Sequence, residues 1–136
     1  MQIRFNHIQF TELDYKVNSH DKEITHELET TLGVFTLFSD DNRNGFAVQF
    51  DILMKSKSKK FKLKLKSIAH FSTPDEISNE ERKSPFFEIN APAIAFPFVR
   101  AFISNLTLSS GYDPVVLPSF NFMQLADEKK NGKKNS

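Results

Sequence analysis

Alternating apolar and polar residues predict a β-sheet in the first half of the chain. Over residues 3–17 the apolar positions alternate in three successive registers. Each change of register would turn the apolar side chains to the other face of a strand unless the backbone absorbed one extra residue. We therefore predict one long strand with bulges near His7 and Thr11.

Three further segments complete the predicted sheet. Residues 27–39 become almost continuously apolar near their end, which indicates burial on both faces or an exposed apolar face. Asn44-Gly45 favours a hairpin turn into an alternating strand over residues 46–52, and the cleanest alternation runs from residue 61 towards residue 72. The pattern predicts a four-stranded antiparallel meander with its strands adjacent in chain order.

The second half of the chain is predicted to be helical. Residues 73–84 have no sustained apolar stripe and are expected to form a loop with at most a short helix. Pro97 is compatible with a first helical turn, and the apolar residues after it recur at spacings of three and four, which predicts an amphipathic helix. Gly111 offers a C-terminal cap for that helix.

The end of the chain changes composition. Residues 120–125 predict a short second helix or an extended segment. Residues 127–136 are charged and polar, which is typical of a disordered tail. The predicted architecture is therefore an α+β domain over residues 1–126, with a four-stranded antiparallel sheet followed by one long and one short helix, and a basic tail over residues 127–136.

The amino-acid composition favours an apolar binding surface over a catalytic site. The 136 residues include 15 Phe but only two Tyr and no Trp, so a large apolar area without hydrogen-bonding groups must be buried or displayed. There is no Cys, which excludes disulfides and thiolate nucleophiles, and the net charge of +1 does not resemble that of a nucleic-acid binder.

Motifs for catalysis and for membranes are missing from the sequence. The four His lie in separate segments without metal-ligand spacing, and there is no glycine-rich phosphate loop or serine nucleophile motif. We expect no enzyme activity, no cofactor and no metal. We also see no apolar run of signal-peptide length or of the ~20 residues that a membrane helix needs, so we expect a soluble, cytosolic protein without membrane insertion.

One region resembles a known family. The ordered set consists of an aromatic-Pro-aromatic segment at Phe96-Pro97-Phe98 with Arg100 two positions on, Gly111-Tyr112-Asp113-Pro114, Leu117-Pro118 and Asn121-Phe122. Over about residues 90–125 this set is similar to the C-terminal half of SecB-type export chaperones. The family's order of four antiparallel strands before two helices agrees with the pattern above.

The resemblance implies a function. SecB-type chaperones hold unfolded preproteins in hydrophobic grooves without ATP, and they form a dimer of dimers with the long helix at the subunit interface. Export members are typically acidic and end in a tail that docks the SecA motor, whereas residues 128–134 here include four lysines. SecA is therefore a doubtful partner, and a single dedicated client such as an antitoxin is an alternative.

Apolar residues provide the candidate sites, each of which could also be an ordinary core residue. The candidates for client binding are Phe35, Leu37, Phe38, Phe50, Phe120, Phe122 and Met123. The candidates for the oligomer interface are Phe98, Phe102 and Leu106, which could equally cover the sheet. In a different class of function, the same Phe-rich face would enclose a lipid or another small apolar ligand.

Overall fold

The computed structural model describes residues 2–23 and 28–134. Its strands are β1 (Arg4–Val17), β2 (Leu28–Phe38), β3 (Gly45–Ser56) and β4 (Phe61–Ser72), and its helices are α1 (Pro85–Ser109) and α2 (Phe122–Lys134). The four strands form an antiparallel sheet. The predicted α+β class, with a sheet followed by one long and one shorter helix, is confirmed.

The predicted order of the strands is wrong. β2, β3 and β4 do form a meander, but β1 pairs with β4, so the order is β1-β4-β3-β2. Local alternation does not specify which neighbour a strand takes. In this order β1 and β2 lie three strand spacings apart, about 14 Å, and ten residues of chain can reach about 30 Å. A long connection therefore permits the pairing that a tight turn would forbid.

The two predicted bulges in β1 are confirmed. The register against β4 shifts between Phe5 and His7 and again between Phe10 and Glu12. Each shift absorbs one residue and keeps the apolar side of β1 on the face that carries the buried residues of β4. The apolar side chains on that face are Phe5, Ile8, Phe10, Leu13, Tyr15 and Val17.

One face of the sheet is buried beneath α1, and the opposite face has no covering layer in the described chain. β3 and β4 contribute Phe46, Val48, Phe50, Ile52, Met54, Phe61, Leu63, Leu65, Ala69 and Phe71 to the core, and α1 contributes Phe87, Ala91, Ala95, Phe96, Val99 and Ile103. Phe46 stacks on Phe71 with ring centroids 5.0 Å apart and meets the ring of Phe87 edge-on at 4.9 Å.

Helix α1 begins at Pro85 rather than at the predicted Pro97. The Ser84 hydroxyl accepts a hydrogen bond from the Phe86 N–H, and Pro85 lies in the first turn, where its missing N–H costs nothing. Pro92 and Pro97 lie inside the helix. Each removes one intrahelical hydrogen bond, but burial of the neighbouring apolar residues offsets that cost. The predicted end at residues 109–111 is confirmed, and Gly111 has φ 97°.

One helix bears on the expectation that the chain has no membrane insertion. Helix α1, with 25 residues and an 18-residue window of mean hydropathy 1.3, is long and apolar enough to cross a membrane. The core helix of a soluble protein passes the same test. One face of α1 packs on the sheet through its buried residues, which is the arrangement of a core helix.

The predicted loop before α1 is confirmed, whereas the tail predicted to be disordered is largely helical. Residues 73–84 contain a single short 3-10 helix, Glu81–Lys83, as expected for a loop with little helix. Helix α2 extends from Phe122 to Lys134 and so continues through most of the segment for which composition predicted disorder. Its apolar first turns are anchored on the core, and this anchoring supports the polar turns that follow. The division into residues 1–126 and 127–136 stays a prediction.

Truncation of Phe50 tests the position of the core. Because this side chain is fully buried at the centre of β3, Phe50→Ala should lower the free energy of unfolding by about 3–5 kcal/mol. Chemical denaturation monitored by circular dichroism measures the change. Phe35→Ala is the matched control, since that ring is 46% exposed, and a loss of similar size in both variants would contradict the assignment.

Candidate polypeptide-binding surface

The predicted client-binding residues divide into exposed and buried groups. Phe35 and Leu37 of β2 are 46% and 43% exposed, and Met123 at the start of α2 is 58% exposed. Phe50 and Phe122 are buried, at 0% and 8% exposed, so their assignment to an exposed client surface is wrong. Phe50 points to the face that α1 covers, and Phe122 packs on Phe96 with ring centroids 5.6 Å apart.

Two further candidates are half-buried at the margin of the core. Phe38 meets the ring of Phe87 edge-on at 5.3 Å, and the Arg82 guanidinium lies 5.3 Å from its ring centroid. Phe120 meets the ring of Phe96 edge-on at 5.3 Å. Each ring therefore keeps only part of its area for an external partner.

The exposed residues of β2 lie on the open face of the sheet, and we call Phe35 and Leu37 the β2 patch. Both residues alternate with Val34, whose side chain points into the core. A Cβ atom built on Gly33 would lie 3.1 Å from Cε2 of Phe35, so the ring lies close over the glycine. Gly33 thus provides the space in which an aromatic side chain rests on the strand beside open solvent.

A second apolar surface follows the outer side of α1. We call its exposed residues Ala93, Ile94, Phe98, Ala101 and Leu108 the α1 ridge. Ile94, Phe98 and Leu108 are 43%, 48% and 57% exposed. Depressions of about 510 Å³ and about 590 Å³ flank the ridge and share Ala93 in their linings. Met123 and Phe120 line the first depression, so these candidates face the ridge and not the β2 patch.

The predicted interface residues are partly engaged within the chain. Phe98 stacks on Phe5 with ring centroids 4.8 Å apart, and Phe102 stacks on Phe10 at 4.1 Å. Phe102 and Leu106 are half-buried against the core. Sequence reasoning missed Ile94 because it placed the start of the helix at Pro97. Extending the three- and four-residue spacing back towards Pro85 would have found it.

The lysine row on the open face of β4 is accompanied by carboxylates of β1. The Lys62 ammonium lies 3.1 Å from the Asp14 carboxylate, and Lys64 and Lys66 each lie 3.7 Å from that of Glu12. The hydrogen bond from Lys62, and then its positive charge, hold the pKa of Asp14 below its usual value. Because carboxylates accompany the lysine row, it does not favour binding of nucleic acid.

Two histidines meet beside the β2 patch. The rings of His7 and His70 stack with centroids 4.5 Å apart, and Nε2 of His70 lies 2.9 Å from Oε1 of Gln9. They border a shallow depression of about 440 Å³ that Leu37 and Ala47 also line. Burial, and then the charge of His7, lower the pKa of His70. Within the described part of the chain, no group of three metal-ligating side chains forms.

The fold and its surfaces define an α+β protein whose apolar side chains extend beyond its core. The family model of the preprotein translocase subunit SecB matches residues 27–133, which is most of the chain. The chain therefore belongs to the SecB family, as the resemblance around Phe96-Pro97-Phe98 indicated.

Individual relatives agree with this assignment. The protein-export protein SecB of Ruegeria pomeroyi is 32% identical over 92 residues, covering 64% of this chain and 53% of that protein. The SecB of Anaplasma phagocytophilum is 36% identical over 55 residues, covering 40% of this chain and 35% of that protein. The chain thus spans about half the length of the first of these relatives and a smaller part of the second.

A solved structure shares the fold. A Mycobacterium tuberculosis SecB-like chaperone, in complex with a peptide from an antitoxin, superimposes with a TM-score of 0.68 over 88% of each chain. The sequences are 13% identical. The similarity at this level shows that the arrangement of sheet and helices is that of a SecB-like chaperone.

The depressed pKa of His70 predicts a loss of stability in mild acid. Below about pH 6.5 the unfolded chain protonates this position more readily than the native state, so stability present above that pH declines as the pH falls. Wild type should lose more unfolding free energy between pH 7.5 and pH 5.5 than His70→Gln. Urea denaturation at both values measures the difference, and equal losses would contradict the assignment.

Proposed function

We propose that this protein is an ATP-independent holding chaperone that binds non-native polypeptides on its exposed apolar side chains. The observation that carries the proposal is the β2 patch, because Phe35 and Leu37 are large apolar residues on a sheet face without a covering layer in the described chain. Such a face is normally polar where it meets water. Family membership supports the same conclusion.

Physical chemistry favours a binder of extended chain. Burying a large apolar side chain contributes roughly 1.5–3 kcal/mol, so a few client residues reach useful affinity without bond chemistry. Successive exposed residues of a strand lie about 7 Å apart, which matches alternate side chains of an extended client. The described depressions are open surface grooves, which favours a polypeptide over an enclosed lipid or other small apolar ligand.

Two roles fit a holding chaperone of this family. Export of preproteins is supported by the relatives that carry the name of protein-export protein SecB. A single dedicated client is supported by the SecB-like chaperone that was solved with an antitoxin peptide. Under either role the partner is a polypeptide, the location is cytosolic, and no cofactor or catalytic step is involved. The four lysines of residues 128–134 do not favour docking on SecA.

We also propose that a second copy of the chain covers the α1 ridge. The ridge combines small residues with exposed Ile94, Phe98 and Leu108 along one side of a long helix. Small residues allow two helices to approach closely, and large ones supply apolar area. This assembly, a homodimer that pairs into a homotetramer, leaves the β2 patch on the opposite side of the sheet free for clients.

Removal of the β2 patch tests the chaperone. The double variant Phe35→Ser, Leu37→Ser should bind a permanently unfolded, reduced and alkylated polypeptide at least about tenfold more weakly, because two apolar contacts are lost. Fluorescence anisotropy measures the affinity, and native protein of the same sequence should not bind.

Val116→Ser is the matched control, since Val116 is 68% exposed in the loop between the helices. Equal affinity of the double variant and the control for the unfolded polypeptide would contradict the assignment of client binding to the β2 patch. Binding to one partner, with none to several unrelated unfolded chains, would select the dedicated role. If wild type binds no unfolded polypeptide, the proposed chaperone function is wrong.

Introducing charged residues on the α1 ridge tests whether this surface is the interface between two copies of the chain. Because Ile94 and Ala101 are exposed in the single chain, Ile94→Asp with Ala101→Glu should leave the fold intact while opposing burial of the ridge. Light scattering should show an oligomer for wild type and for Val116→Asp, and a smaller species for the double variant. A monomeric wild type, or an unchanged mass in the variant, would contradict the proposed interface.

A further inference from the structure

The outer edge of β2 is occupied by the chain itself. β2 is an edge strand whose described ladder pairs it with β3 alone. The ammonium of Lys129 in α2 donates a hydrogen bond to the backbone carbonyl of Val34. An edge carbonyl of this kind is the acceptor that an added strand would use. A side-chain donor therefore lies where a backbone N–H of an incoming chain would lie.

The same ammonium also covers the aromatic side chain of the β2 patch. Lys129 Nζ lies 5.2 Å from the ring centroid of Phe35, which is within the range of a cation–π contact. Phe35 is held close over Gly33, so its outer face is the one presented to a partner. One lysine thus engages both features of β2 that an extended apolar client would contact.

The attachment of α2 changes character along the helix. Its first turns are anchored by Phe122 and Ala126, each 8% exposed and part of the buried set. Lys129 follows Ala126 by three residues, so it continues the same side of the helix. The contact made there is polar and only partly buried, whereas the contacts before it are apolar. The later turns can therefore release while the first turns stay anchored.

We propose that Lys129 is a latch that competes with the client for the edge of β2. The inference rests on the proposed chaperone function. In the closed form Lys129 occupies the Val34 carbonyl and covers Phe35. In the open form an extended apolar segment donates its backbone N–H to Val34 and places a side chain against Phe35 and Leu37. The client thereby adds as a strand to β2.

The strength of the latch sets the size of the effect. One exposed cation–π contact together with one hydrogen bond favours the closed form by about tenfold. Apparent affinity scales with the fraction of molecules in the open form. Loss of the latch should therefore raise client affinity by up to about tenfold, and the gain should disappear when a cation with donors is restored at the same position.

Three variants test the latch. Lys129→Ala removes both contacts without introducing a large apolar side chain and keeps helix propensity. Lys129→Arg retains the cation and its donors. Lys57→Ala, in the turn between β3 and β4, removes the same charge elsewhere in the chain. Binding of the reduced and alkylated polypeptide is measured for all three, and amide hydrogen exchange of α2 is measured without any client.

The expected result is tighter binding, up to about tenfold, and faster exchange at the end of α2 for Lys129→Ala alone. Unchanged or weaker binding by Lys129→Ala, in a protein whose wild type binds, would overturn the latch and leave the chaperone standing. Unchanged hydrogen exchange at the end of α2 in Lys129→Ala would overturn the latch, whatever the change in client affinity. If wild type and every variant fail to bind, the proposed function falls, and competition for β2 falls with it.

Discussion

Packing of α1 against one face of the sheet is the constraint on which the rest of this structure depends. The aromatic cluster of Phe46, Phe71 and Phe87 joins the third strand, the fourth strand and the start of the helix. Such ring pairs contribute about 0.5–1.5 kcal/mol each beyond the burial of their area. Because α1 covers one face of the sheet, that face is buried, and the other face stays open as far as the described residues go.

The end of α1 determines where α2 can lie. The buried Thr107 hydroxyl accepts a hydrogen bond from the Val115 N–H at 2.9 Å and donates to the Ile103 carbonyl at 3.0 Å. The Ser104 hydroxyl donates to the Val115 carbonyl at 2.8 Å. These bonds hold the returning loop along the last turns of the helix. The loop then delivers Phe122 to the ring of Phe96, and α2 reaches the edge of β2.

Two apolar surfaces outside the core call for different partners. The α1 ridge is a side of a regular helix, which another copy of the same helix can match. The β2 patch lies beside a strand edge that pairs with no further strand in the described residues, and an extended chain can match such an edge by backbone hydrogen bonds whatever its sequence. Exposed strands of this kind invite aggregation. The charged side chains of β1 and β4 oppose such association, and Lys129 occupies part of the edge of β2.

The sequence by itself determined the features that depend on neighbouring residues. Each slip of register in β1 is visible as a change in alternation, so the bulges near His7 and Thr11 were predictable. The motif from Phe96 onwards identified the family. The end of α1 followed from Gly111, because a helix commonly stops where one residue adopts a positive φ.

Only the tertiary structure decided which strand lies beside which and which side of each strand meets α1. Phe35 and Phe50 both lie in strand patterns rich in Phe, yet Phe35 is exposed and Phe50 is buried. Alternation of apolar and polar residues indicates that the two sides of a strand differ. It does not indicate which side a helix distant in sequence will cover. The spacing of apolar residues before Pro97 is compatible with helix, but burial of Phe87 and Ala91 against the sheet is what offsets the cost of the prolines that follow. Non-local packing energies of this kind are not encoded in any short window of sequence.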